Sequence, residues 1–200
     1  MAQNLLTLEK QLNEGEYKRW LIENLIPTGE IVILYAPTNQ YKTFLSLKIA
    51  LEVATGSQEL GATVSGNVSI YSPDTNMEDL VPRIRGLLQA SYSNQDISES
   101  LLIEDEVLDL TNEHFESNVD EYPETGEQVH WSWHQQGEWN AEEGIKLIVI
   151  DTLSQSIGGN SINDDSAIRK SVRNLKKWIR GGKGKFSILV IAHAGKNTSK

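Results

Sequence analysis

The chain contains no cysteine. Disulfides and cysteine-based zinc sites are therefore excluded, and a reducing, cytoplasmic setting is the expectation. Long apolar runs are missing as well. No stretch approaches the roughly 20 residues that a membrane helix needs, so no membrane partner is expected. The opening residues, MAQNLLTLEKQLNEGE, have no basic lead followed by an apolar segment, and no secretory signal is expected. Positive charge is absent from a long central tract. Residues 86–145 hold not one Lys or Arg but carry 15 of the 28 acidic residues. The formal net charge of −10 argues against nucleic acid only until it is divided in this way. Outside the tract stand 18 basic and 13 acidic groups, so a mildly basic body carries an acidic insert.

What is present suits a packed domain. Hydrophobic residues make up 38% and charged residues 23% of 200 positions, enough for a single core of ordinary size. Residues 1–16 read as a polar N-terminal arm, 17–200 as the core unit, and 107–144 as an acidic, tryptophan-containing insertion within it. IVILYAP (31–37) is a continuous apolar run ended by proline, the pattern of a buried parallel strand. Phe44, Leu47, Leu51 and Ala54 then fall at helical spacing, with Gly56 as a stop signal. NVSIYSPD (67–74) is a second strand. A helix follows over 77–89, with Pro82 expected to kink it or delay its start. A short strand is expected over 100–106, and the clearest buried strand is IKLIVIDT (145–152). Residues 164–180 form an amphipathic helix with Ile168, Val172, Leu175 and Ile179 as one stripe and Asp164 or Asp165 as cap. FSILVIAHAGK (186–196) is the last strand. Strands alternating with helices predict an α/β fold, a mostly parallel central sheet with helices on both faces. The insertion shows turn signals and no helical period, so a hairpin or long loop is expected there.

The stretch YAPTNQYKTFLSL (35–47) carries the chemistry. A phosphate loop needs backbone N–H groups and a helix N-terminus around the phosphates, a lysine for their far end and a hydroxyl for Mg²⁺. Ala36, Pro37, Thr38, Asn39, Gln40 and Tyr41 would form the loop, and Lys42 and Thr43 would supply the lysine and hydroxyl. Ala36 and Tyr41 stand where the pattern has glycine. LIVIDT places Asp151 at a strand tip, where a carboxylate can sit near a metal ion. Each motif alone has a plain alternative: a surface Lys-Thr at a helix start, or a strand-ending Asp that caps a turn. Their order on successive strands points to a nucleotide site.

Three blocks of the chain resemble the RepA-type ATPases: KRWLIENLIPTGEIVILYAPTNQYKTFLSLKIALEVATG, VSIYSPDTNMEDLVPRIRGLLQ, and the run from Ile145 to Lys196. That family comprises RecA-like P-loop proteins related to hexameric replication helicases of plasmids and phages. The resemblance covers about two-thirds of the chain, outside the arm and the insert. It implies that ATP and Mg²⁺ are the cofactors, with Lys42 and Thr43 as the loop lysine and hydroxyl and Asp151 as the metal carboxylate. Thr43 and Asp151 would then hold the metal. It further implies that Asp74 activates the attacking water and that His193 senses the γ-phosphate or DNA. Expected partners are DNA, single-stranded, and further copies of the chain in a ring. The implied function is ATP hydrolysis coupled to DNA handling in replication or recombination of a mobile element. The alternatives are a nucleotide-binding module that does not hydrolyse, and a helicase fragment without activity of its own. Departures from the family pattern are Tyr41 for glycine, Asp74 for glutamate, and an end at Lys200 where the family continues, so a C-terminally incomplete fold is expected.

Three further features have two readings each. Arg169, Lys170, Arg173, Lys176, Lys177 and Arg180 form either a phosphate-backbone patch or a solvated helix face or subunit contact. The loop 152–165 either faces a ring channel or is a plain surface loop. His130 and His134, among Trp131, Trp133 and Trp139, mark either a metal or base-stacking site or ordinary packing.

Overall fold

The computed structural model describes residues 20–73, 75–93, 95–104, 107–115 and 131–193. Its frame is a five-stranded, fully parallel sheet of β3 (Ile31–Ala36), β4 (Asn67–Tyr71), β5 (Leu101–Glu104), β8 (Ile145–Asp151) and β9 (Ser187–His193). The order across the sheet is β3-β9-β8-β4-β5. Two small antiparallel pairs flank it: β1 (Trp20–Ile22) with β2 (Ile26–Pro27), and β6 (His114–Phe115) with β7 (Trp131–Ser132). The helices are α1 (Lys42–Thr55), α2 (Met77–Ser91), α3 (Trp133–Glu142) and α4 (Asp165–Gly181). The predicted α/β class, with a parallel sheet and helices on both faces, is the observed architecture, that of a RecA-like P-loop fold.

Alternation along the central strands builds two cores. Leu147 and Val149 of β8 and Leu189 and Ile191 of β9 point to one face, with Leu47 and Leu51 of α1 and Leu80, Ile84 and Leu87 of α2. Ile148 and Ile150, with Ile188 and Val190, point to the other, against Trp133 of α3 and Leu175 and Trp178 of α4. Both faces of β8 and β9 are buried, which is why these strands read as unbroken apolar runs.

β3 differs from its expectation as a buried strand. It is an edge strand in the described sheet, and Ile33 and Tyr35 are 58% and 63% exposed. Its register sets Ile33 beside Val190 and Tyr35 beside Ala192, on the face that α3 and α4 cover further along the sheet. A run of β-branched residues cannot by itself tell a central strand from an edge one.

The helix boundaries follow local chemistry. α1 ends at Gly56 in the left-handed region (φ 69°), the conformation its stop signal predicts. α2 starts at Met77 with Asn76 accepting from the Glu78 N–H, so Pro82 lies inside the helix and does not delay its start. α4 is capped by Asp164, whose carboxylate accepts from Ser166 and Ala167. Its buried face is Ala167, Ser171, Asn174, Leu175, Trp178 and Ile179, while Ile168 and Val172 of the expected stripe are only half-buried.

The segment 107–144 departs most from expectation. It contains the short β6–β7 pairing, but its tryptophan-rich part is helix α3, not a hairpin or loop. Ser132 and Gln135 form a capping box at its start, each side chain accepting from the other's backbone N–H. The helix then packs closely on α4. The Trp178 indole donates to Asn140 at 2.7 Å, Phe115 and Phe186 meet it edge-on, and Trp133 lies tilted against it. Asn174 of α4 donates to the carbonyls of Leu110 and Asn112, which ties the chain before β6 to the same core.

Candidate functional site

Parallel strands deliver their C-terminal tips to one edge of the sheet, and α1 begins there. Ala36, the last residue of β3, is in register with His193, the last residue of β9. Asp151 ends β8 next door. The exposed residues 37–40 lead to Tyr41, and Lys42 and Thr43 open α1. The sheet thus brings Lys42, Thr43, Asp151 and His193 together from positions 42 to 193.

Thr43 Oγ1 donates to Asp151 Oδ2 at 2.7 Å. Asp151 is 4% exposed, so this hydroxyl and carboxylate meet away from bulk water. Lys42 is also buried. Its ammonium donates to the Ala36 carbonyl at 2.9 Å and to the Pro37 carbonyl, folding it back across the loop. The N-terminus of α1 has no side-chain cap and no acidic residue in its first turn. Its first backbone N–H groups lack intrahelical acceptors and carry the positive end of the helix dipole, an arrangement that favours an anion. His193 Nδ1 is buried and has no hydrogen-bond partner among the described residues.

Lys42, Thr43 and His193 border a cleft of about 620 Å³ lined by residues 39–44, Arg83 and His193; Asp151 does not line it and meets it only through its contact with Thr43. Neither Arg83 nor Phe44 was singled out for the site by sequence. Phe44 had a positional signal, since it follows the Lys-Thr pair directly. Arg83 had none, because only the packing of α2 beside α1 brings it to the cleft. Ala36, Pro37 and Thr38 form the loop's approach and do not line the cleft.

Tyr41 adopts φ 54°, ψ 24°, the left-handed conformation for which glycine is best suited. Tyr41 is 83% exposed, so its ring is not packed into the loop. The backbone therefore keeps the turn that a glycine would give, and the ring does not crowd it.

The donor set suits Mg²⁺, a hard cation held by one or two protein oxygens together with phosphate oxygens and water. Thr43 and Asp151 would hold it, and it would neutralise charge on a bound polyphosphate. Among the described residues no group of three or more His, Asp or Glu could hold a metal ion without such help. His134 is exposed on α3, with Glu138 at 3.7 Å. Its suggested partner His130, and Asp74, lie outside the described residues.

A family model described as AAA domain matches residues 2–199. The chain belongs to the AAA domain family. The match runs through both the arm and the acidic insert. Membership makes this a P-loop ATPase-type domain, a family in which nucleotide binding and ATP with Mg²⁺ are the general rule. No curated protein matches the chain. No described helix is long and apolar enough to cross a membrane.

Proposed function

We propose that this AAA domain binds MgATP in the cleft above α1 and hydrolyses it, and that turnover drives DNA handling of the RepA type by an assembly of several copies. The contact between Thr43 and Asp151 carries the reading, because a hydroxyl and a carboxylate 2.7 Å apart beside an uncapped helix N-terminus are what a metal–polyphosphate complex requires. Lys42 exchanges its loop carbonyls for the β and γ phosphates. His193, whose buried Nδ1 has no partner among the described residues, meets the terminal phosphate from the tip of β9. Asp74 holds the attacking water. The protein supplies position and charge, since phosphoryl transfer needs no covalent intermediate on the enzyme.

The test is MgATP turnover by the purified chain, wild type beside Lys42→Ala, with and without single-stranded DNA. Turnover should fall by about a hundredfold or more in the variant, and DNA should raise the wild-type rate. Tight binding without turnover would replace this reading with a nucleotide-sensing module. No binding would remove the nucleotide site altogether.

A further inference from the structure

Asp151 is held in the sheet from one side. It pairs with Ile191 of β9, whereas β4, the neighbour on the other side, pairs no further along β8 than Ile150 among the described residues. The loop that follows begins as buried chain: Thr152, Ser156 and Ile157 are all shielded from water. The Leu153 N–H donates back to the Ile191 carbonyl, and the Gln155 N–H and the Ser156 hydroxyl both donate to the Thr152 carbonyl, closing a turn over 152–156. That turn is tied at its exit to the first residues of the insertion, where the Leu110 N–H donates to the Ser156 carbonyl at 2.8 Å. Beside it Gly158 (φ 60°) lies against the Asp109 carboxylate. An added Cβ there would come within 2.5 Å of a carboxylate oxygen, and the Thr111 N–H and hydroxyl both donate to that carboxylate and fix it.

Leu110 is fixed in turn from α4. Asn174 is 2% exposed, a costly place for an amide unless its hydrogens are used. Its Nδ2 donates to the Leu110 carbonyl at 2.9 Å and to the Asn112 carbonyl at 2.6 Å. One side chain therefore holds the strip 110–112, the strip holds the turn 152–156, and the turn continues directly from the carboxylate that meets Thr43. We propose that Asn174 is a positioning residue for the Thr43–Asp151 pair, acting through the first residues of the insertion. It lies outside the cleft lining and acts on the metal ligands from behind. Groups that orient metal ligands in this way set metal affinity, and losing one typically costs about 10–100-fold. The proposal rests on the nucleotide reading above and adds what fixes its carboxylate.

The experiment measures ATP affinity by calorimetry with Mg²⁺ and again in EDTA. In Asn174→Leu the gain that Mg²⁺ brings should shrink by about tenfold, while affinity in EDTA stays unchanged. Gly158→Ala, which pushes on the turn from an exposed position, should shrink the same gain. Asn140→Leu is the control. It orphans the Trp178 indole in the same core but leaves 110–112 alone, so it should cost stability without touching the gain. An intact magnesium gain in a folded Asn174→Leu protein overturns the proposal. If circular dichroism shows that variant unfolded, an intact gain in Gly158→Ala overturns it instead. Equal loss with and without the metal, or an equal effect of Asn140→Leu, overturns it too, by leaving Asn174 a purely structural role. If wild-type affinity is indifferent both to Mg²⁺ and to Lys42→Ala, the nucleotide reading itself fails, whatever Asn174 does.

Discussion

Tyr41 holds a conformation that costs a non-glycine residue about 1–2 kcal/mol, and its exposed ring recovers no packing in the described structure. Tyr41→Gly relieves that strain but loosens the unfolded chain, so the expected net gain is under about 1 kcal/mol. Urea midpoints of the two proteins check it, and a clear loss of stability would mean that the ring has a partner. Tyr92 is the residue whose titration matters most. Burial, and then the Glu52 carboxylate 3.1 Å from its hydroxyl, push its pKa well above the ordinary value. The folded state therefore keeps a proton that the unfolded state loses above about pH 10. Stability is fully present below that pH and declines as pH rises beyond it. Tyr92→Phe should cost about 1–3 kcal/mol at neutral pH, since Glu52 and the Lys48 carbonyl both lose a donor. The variant should also show a shallower alkaline decline. Parallel pH profiles for the two proteins would refute the linkage.

At the scale of elements, legibility followed local chemistry. α1, α4, β8 and β9 were readable because period, caps and unbroken apolar runs all agree there. α3 was missed, although Ser132 and Gln135 spell a capping box three residues apart. Its interior hides the usual stripe because it packs through small and polar residues. Gly137, Gln136 and Asn140 are among its buried positions. A Cβ on Gly137 would collide with the Trp178 carbonyl of α4, and one on Gly181 with the His134 carbonyl of α3, so the two helices approach backbone to backbone. Gly137→Ala gains helix propensity yet should destabilise the fold by about 1–3 kcal/mol, because the carbonyl in its way is not free to move. Thermal denaturation decides between the two effects. The exposure of β3 was equally hidden, since Ile33 and Tyr35 read as core by type and only the strand order places them at an edge. Lys42 and Thr43 could be named as candidates from the loop pattern and Asp151 from its place at a strand tip, whereas Arg83 enters the cleft through tertiary packing, which no local pattern encodes.

Charge organises the molecule as a whole. The acidic tract of 86–145 makes the net charge −10, yet α4 presents Arg169, Arg173, Lys176, Lys177 and Arg180 on exposed positions at helical spacing. Among the described residues Arg169 alone of these has an ion-pair partner, Asp165 at 3.7 Å, and both are largely exposed. Attraction of a polyanion to such a stripe depends on local potential rather than net charge, and salt screens it over about 10 Å. If the proposed DNA handling uses this face, single-strand affinity should fall steeply with salt, by about 0.7 in log–log slope for each phosphate neutralised. Arg173→Glu combined with Lys177→Glu should reduce that slope by at least 1 and weaken binding equally across sequences. Basal MgATP turnover should stay unchanged, because neither residue lines the cleft. Fluorescence anisotropy at several salt concentrations reads the slope directly. An unchanged slope would place DNA contact elsewhere and leave the α4 stripe as a solvated face or a contact between copies.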